Sequence, residues 1–367
     1  MTLSKLPENI TIYLYGKGYM GETYLTLINI LREDINIIFI DDYTTNKNDI
    51  TFNTFEKQHK KNFYIINCII TQNTRELIDL KIINSGYKNN LIEIEGINGF
   101  LKSETFPLSY MILEDFYYKN KSIINKNIKS LDSSQDKKLY KDLINYKYLD
   151  LKKQEQLING VFFNKFGDYN EELHYCEYLN DKFIDTIIAG GIFDGLSSKK
   201  IKARYLNTEG KIYGFDPMIH SYITEQNIID MKNNNIYLVD TCLWNKVEKI
   251  NFLKNGSSSK IINNSDFTVN ATTIDMFRDK NNLKIDMIKL DIEGAESNAI
   301  DGAIKTINED RPQLAISIYH SNEDMVFLFS KIVSLTKEYI YKIGHYNEFI
   351  HETVLYAIPK EKIKKVK

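Results

Sequence analysis

KIDMIKLD (Lys284–Asp291) and QLAISIYH (Gln313–His320) are apolar runs that each end in reactive side chains, and between them Ala295, Ala299, Ala303 and Ile307 recur at helical spacing. Two such runs around an amphipathic segment read as parallel strands and their crossover helix, because parallel neighbours need a long connection. The pattern recurs upstream. FIDTIIAGG (Phe183–Gly191), KIYGFDP (Lys211–Pro217) and NIYLVDT (Asn235–Thr241) are three further strands, with helical segments after the first two. The end departs from it: YIYKIGHY (Tyr339–Tyr346) and ETVLYAI (Glu352–Ile358) are separated by only a few polar residues, which demands an antiparallel pair. The fold class is α/β, a mostly parallel Rossmann-like sheet closed by a terminal antiparallel hairpin.

A second, smaller α/β domain precedes it. ITIYLY (Ile10–Tyr15), INIIFIDD (Ile35–Asp42) and FYIINCII (Phe63–Ile70) read as strands, a helix should run from Met20 to Leu31, a second helix ends near Gly86, and LIEIEG (Leu91–Gly96) supplies a short last strand. The stretch 101–175 is polar and aromatic, with Leu139, Leu143 and Ile144 at helical spacing, and reads as a helical connector. The expected organisation is a Rossmann-like domain over 1–100, the connector over 101–175 and the larger domain over 176–360.

The length of 367 residues suits two domains with their own cores. With 47 basic against 49 acidic residues the chain has no polyanion footprint, so nucleic acid is not expected as a partner. Cys68, Cys176 and Cys242 lie far apart without metal-site spacing, which points to a reducing compartment and to buried small hydrophobes. No stretch approaches the roughly 18 apolar residues of a spanning helix. A cytoplasmic protein without a membrane span is the expectation, and a homo-oligomer is left open.

KLDIEGAE (Lys289–Glu296), AISIYH (Ala315–His320) and HETVLYAI (His351–Ile358) resemble the signature of the FkbM-type methyltransferases, which use S-adenosylmethionine and mostly O-methylate sugars and polyketide-like small molecules. The resemblance covers Tyr175 to Ile358. It implies a class I methyltransferase sheet, S-adenosylmethionine as cofactor, and a small-molecule sugar or sugar nucleotide destined for a bacterial surface polysaccharide as substrate.

Open α/β sheets bind ligands at the carboxyl ends of their strands, so the residues there carry the expectations. Gly191 and Gly195 match the family's glycine turn, and Asp194, at the start of the next helix, is placed to meet the cofactor's ammonium. The acid usual at the end of that strand is Ala189 here, which weakens the expected grip. Asp216 is expected to accept the ribose hydroxyls, and Asp240 or Thr241 to lie near the adenine, with Trp244 packing rather than stacking on a ligand. Asp291 ends the fourth strand beside the transferred methyl group, and His320 is the expected base, because imidazole titrates close to working pH. Asp291 would orient it or coordinate Mg²⁺, the optional metal. His345, the third candidate catalytic residue, lies with Glu352 in the closing motif, where an arginine common two residues before the histidine is Ile343, and Ser257–Ser259 fall where the family has a serine-containing loop.

Gly16-Lys17-Gly18-Tyr19-Met20-Gly21 follows a strand, opens a helix and is followed by Asp41, the context a dinucleotide fingerprint requires. Gly16, Gly18, Gly21 and Asp41 are therefore a candidate N-terminal ligand site. The small domain resembles Rossmann-like modules that precede some FkbM-type methyltransferases. Two other readings remain open: a nicotinamide-dependent oxidoreductase or epimerase working at this turn, and a degenerate cofactor-binding scaffold.

Overall fold

A computed structural model describes residues 2–17, 19–42, 49–58, 62–69, 72–94, 114–148, 173–205, 209–253, 260–261, 267–347 and 351–363. They fall into two compact units, one within Met1–Glu114 and one formed by Asp115–Lys147 with the described part of Phe166–Lys367.

In the first unit β1 (Thr11–Tyr15) lies between β2 (Asn36–Ile40) and β3 (Phe63–Asn67), parallel to both. Helices α1 (Tyr19–Leu31), α2 (Phe52–Lys57) and α3 (Gln72–Ile82) follow the three strands in turn. Tyr13, Phe55, Phe63 and Tyr87 pack edge to face beneath the sheet, a geometry aromatic quadrupoles favour. The helical segment beginning with α3 turns at Gly86, whose φ of 90° suits glycine, as expected. The strand expected over Leu91–Gly96 shrinks to one parallel bridge between Leu91 and Ile65, and its last two residues lie outside the described set.

Helices α4 (Glu114–Ser130) and α5 (Ser134–Lys147) come from the stretch read as a connector, yet they belong to the second unit. Their buried polar groups explain this. Asn127 donates to the Val326 carbonyl (2.9 Å), Tyr140 to the Met325 carbonyl (2.8 Å), and Asp136 accepts the Ile343 N–H (3.0 Å). A buried polar group without its partner would cost more than the bond contributes, so these bonds fix both helices against the larger sheet.

The strands of that unit are β4 (Thr186–Gly190), β5 (Lys211–Phe215), β6 (Ile236–Val239), β7 (Cys242–Leu243), β8 (Glu248–Leu253), β9 (Lys260–Ile261), β10 (Thr268–Thr272), β11 (Met287–Leu290), β12 (Gln313–Ser317), β13 (Tyr339–His345) and β14 (Thr353–Pro359). Seven of them form one sheet in the order β13-β14-β12-β11-β4-β5-β6. β14 runs antiparallel to both β12 and β13, and the other pairings are parallel, as the short final connection requires. A four-stranded sheet, β7-β10-β8-β9, occupies the connection between β6 and β11 and was not anticipated. Its signal is the alternation in EKINFL, where Ile250 and Phe252 are buried with Met218, Cys242, Val269 and Ala271.

Ala295, Ala299, Ala303 and Ile307 are all buried as their spacing implies, but the crossover is two helices, Glu296–Asp301 and Ile304–Asp310. The break falls at Gly302, where a Cβ would run into the Trp244 carbonyl oxygen. The chain's three cysteines are buried, and among the described residues no helix is long and apolar enough to cross a membrane.

Candidate active site

β4, β5, β6, β11, β12 and β13 end at one edge of the large sheet, and antiparallel β14 begins there. The topology thus brings Gly191, Asp216, Asp240, Asp291, His320, His345 and Glu352 to the side where open α/β sheets hold ligands.

The glycine turn after β4 is shaped by its neighbours. Gly191 has φ 75° and donates its N–H to the Phe215 carbonyl (3.0 Å), and a Cβ there would fall on the Asp291 carbonyl oxygen. Gly195, at φ 80°, would press a Cβ to 2.7 Å from the Met231 methyl. Gly191 excludes a side chain by its clash with backbone, whereas at Gly195 the neighbour is the end of a flexible methionine and the positive φ is what favours glycine. Ala189 stands in register with Lys289 of β11, and parallel partners point to the same face. The buried Lys289 side chain, 2% exposed, donates to the Gly190 (3.1 Å) and Gly191 (2.9 Å) carbonyls and stands 3.8 Å from Asp291. Lys289 thus fixes the carbonyls of the turn, but as a donor-only group it supplies no acceptor for a ligand at position 189.

Asp216 ties the next loop down: it accepts the Phe193 N–H (3.0 Å) on one oxygen and the Met218 N–H (2.8 Å) on the other. Each oxygen keeps a second lone pair for a hydroxyl donor. Asp194 accepts the Leu196 N–H (2.9 Å) and is exposed at the start of helix Leu196–Tyr205. Asp240 is exposed at the end of β6, where Thr241 donates its hydroxyl to the Asp240 carbonyl (2.7 Å). Trp244 packs on the small sheet's core and donates to Glu248 (3.1 Å). Phe193 and Leu196 stand exposed beside these carboxylates, an apolar wall next to polar anchors.

Asp291 and His320 meet at the centre of the edge. The ring's Nε2 lies 3.4 Å from Asp291 and 3.7 Å from Glu293, and its Nδ1 lies 3.1 Å from Glu296. Only 3% of the His320 side chain is exposed. Burial alone would lower its pKa, but Glu296, Asp291 and Glu293 overcome that and push it up to about 10. Burial likewise opposes ionisation of Asp291, yet Lys289 and His320 hold it down to about 2. Tyr319 donates to the same carboxylate (3.1 Å). His320 is therefore an imidazolium at neutral pH. The sequence suggested a base there because it gave no sign that Glu296 folds back onto the ring.

Ligating atoms of Asp291, Glu296 and His320 lie within 4.8 Å of one another. As they stand, Asp291 approaches Nε2 of the ring and Glu296 approaches Nδ1. Mg²⁺, moreover, favours oxygen donors. The cluster fits an imidazolium better than it fits Mg²⁺.

His345 is buried, and its Nδ1 shares a hydrogen bond with the Thr353 hydroxyl (2.9 Å) across the β13–β14 hairpin. Ile343 is wholly buried in the sheet, so the position where an arginine is common faces the core. Ser257–Ser259 lie outside the described residues. Sequence reasoning passed over His174, in the stretch assigned to the connector. Its Nε2 stands 3.1 Å from Glu352, and its ring stacks on Tyr175 (centroids 3.8 Å apart) and Tyr346 (4.9 Å). Tyr175 shares a hydrogen bond with Ser317 at the end of β12 (3.0 Å), which brings the segment over the site. A lone histidine beside a tyrosine carries no sequence signal.

In the first unit Gly16 adopts φ 98°, and a Cβ on Gly21 would strike the Gly16 carbonyl oxygen, so the turn packs helix against strand. Asp41 accepts the Lys17 N–H (3.3 Å) across it. Gly18 lies outside the described residues.

A sheet ordered β6-β5-β4-β11-β12-β14-β13, parallel except for the reversed β14, with acidic residues along its carboxyl edge, defines a Rossmann-like methyltransferase fold. Residues 195–343, in the C-terminal part of the chain, match the methyltransferase FkbM domain. Among solved structures, the chain is similar to methyltransferase FkbM from Methylobacillus flagellatus KT at 16% identity and a TM-score of 0.49, covering 95% of this chain and 90% of that one. A methyltransferase from Geobacter sulfurreducens aligns at 12% identity and a TM-score of 0.31, covering 53% of this chain and 81% of that one. Among curated proteins none matches.

Proposed function

We propose that the protein is an S-adenosylmethionine-dependent O-methyltransferase acting on a sugar or sugar nucleotide of bacterial surface polysaccharide synthesis. The observation that carries the reading is the match of residues 195–343 to the FkbM domain, together with acidic residues at the ends of β5, β6 and β11 around a fixed glycine turn. S-adenosylmethionine would supply an electrophilic methyl group. Asp216 would hold the ribose hydroxyls, Asp194 the ammonium, and Asp240 with Thr241 the adenine edge. Asp291, ionised well below neutral pH, would face the positive sulfonium, and His320 would fix that carboxylate as a permanent cation. The chain's chief contribution is alignment, since displacement at carbon needs the acceptor oxygen in line with the breaking bond.

An acceptor rich in hydroxyls suits a rim of carboxylates and imidazoles, and the near-neutral charge does not favour a polyanion. The test is incubation with S-adenosyl-[methyl-¹⁴C]methionine and a panel of UDP- and dTDP-hexoses. Label is expected in a sugar nucleotide. Cofactor binding with no label in any sugar would overturn the substrate class and support the scaffold reading. The oxidoreductase reading predicts NAD(H) binding that is lost in Gly18→Asp, measurable by nucleotide fluorescence.

A further inference from the structure

An alcohol is a poor nucleophile, and with His320 already protonated the site needs another proton acceptor. Two groups at the same edge are more accessible than His320. The side chains of His174 and Glu352 are 23% and 32% exposed, and Nε2 of one stands 3.1 Å from Oε2 of the other, the two facing atoms being themselves buried and not aligned for a hydrogen bond as they stand. Neither is placed by chance. Glu352 directly precedes β14 at φ 58°, and its carbonyl accepts the Tyr346 N–H (3.1 Å), which closes the hairpin beneath it. The His174 ring is stacked on Tyr175 and Tyr346, which fixes the plane in which it faces Glu352.

We propose that Glu352, held by His174, takes the proton of the acceptor hydroxyl during methyl transfer. This rests on the methyltransferase reading. As the oxygen–carbon bond forms, the carbon–sulfur bond breaks with its electron pair going to sulfur, and the hydroxyl proton passes to the Glu352 carboxylate. The products are the methyl ether and S-adenosylhomocysteine.

The surroundings suit the role. Burial and the negative charges of Asp291 and Glu293 raise Glu352, against the lowering pull of His320 and Lys289, to about 8. A base serves best when its pKa lies near the working pH. Burial keeps His174 neutral, its pKa brought down to about 4, with Lys289, Lys200 and His345 adding to that and Asp291 opposing it. A neutral imidazole orients the carboxylate without quenching it as a full ion pair would.

The test uses the full chain in two arms. In protein carrying [δ-¹³C]glutamate, the resonance missing from Glu352→Gln identifies the group, and its midpoint is expected near 8, falling in Asp291→Asn. A midpoint in the ordinary range near 4.3 overturns the proposal. In the second arm Glu352→Gln should leave S-adenosylmethionine affinity within about two-fold while lowering kcat by about 10²–10⁴-fold, the usual range for a lost general base. His174→Asn should shift the pH–rate midpoint with a smaller loss. Wild-type kcat and an unchanged pH profile in Glu352→Gln would overturn the proposal, because a residue that only closes the hairpin would not move that profile. Failure of the wild type to bind S-adenosylmethionine would instead sink the methyltransferase reading, and the titration would still decide the state of Glu352.

Discussion

Replacing His320 with glutamine removes the one imidazolium from a pocket of three carboxylates, and the consequence depends on pH in a definite direction. In the folded protein the ring titrates at about 10, against about 6.5 for an unperturbed histidine. Its folded pKa is raised, so its contribution to stability is fully present below about pH 6.5 and is lost as pH rises through about 10. A shift of roughly 3.5 units at about 1.36 kcal/mol each sets an upper limit near 5 kcal/mol, and coupling among the four groups will make the realised value smaller. Urea denaturation followed by the fluorescence of Trp244, the single tryptophan, reports on the unit that holds the site. The wild type should exceed His320→Gln in stability most at pH 6.5, and the gap should narrow by several kcal/mol towards pH 10. A gap that stays constant over that window would refute the imidazolium, and with it the reason for seeking the base elsewhere.

Other substitutions probe the cofactor edge. Gly191→Ala puts a Cβ onto the Asp291 carbonyl oxygen at φ 75°, so thermal denaturation should show a loss of at least about 2 kcal/mol, and S-adenosylmethionine should bind more weakly. Asp216→Asn keeps an acceptor for one of the two loop N–H groups but loses the charge. Circular dichroism should show a folded protein, and calorimetry an affinity for S-adenosylmethionine lower by about ten-fold or more.

The seven strands of the large sheet were legible because each is an apolar run bounded by turn signals, and the hairpin followed from a connection too short to cross over. The small sheet was harder to see, since β7 and β9 are two residues each and only β8 shows a clear alternation. The split crossover helix was hidden because Gly302 yields to a tertiary contact, the Trp244 carbonyl. Sequence brought Asp291 and His320 to one edge correctly in the structure, but charge state depends on distances no pattern encodes. Glu296 looked like an acidic residue favouring a helix start, whereas its buried carboxylate accepts the Ile292 N–H (2.7 Å) and faces His320. Lys289, in register with Ala189 and a hundred positions away, fixes the carbonyls of the glycine turn, a contact that no local pattern shows.

The central claim is that the carboxyl edge of the large sheet holds S-adenosylmethionine. Calorimetric titration of the full chain with S-adenosylmethionine tests it most directly: the account predicts saturable binding at one site per chain, weakened in Asp216→Asn. A well-folded protein that gives no binding heat at any workable concentration, with none gained on changing temperature, would contradict it.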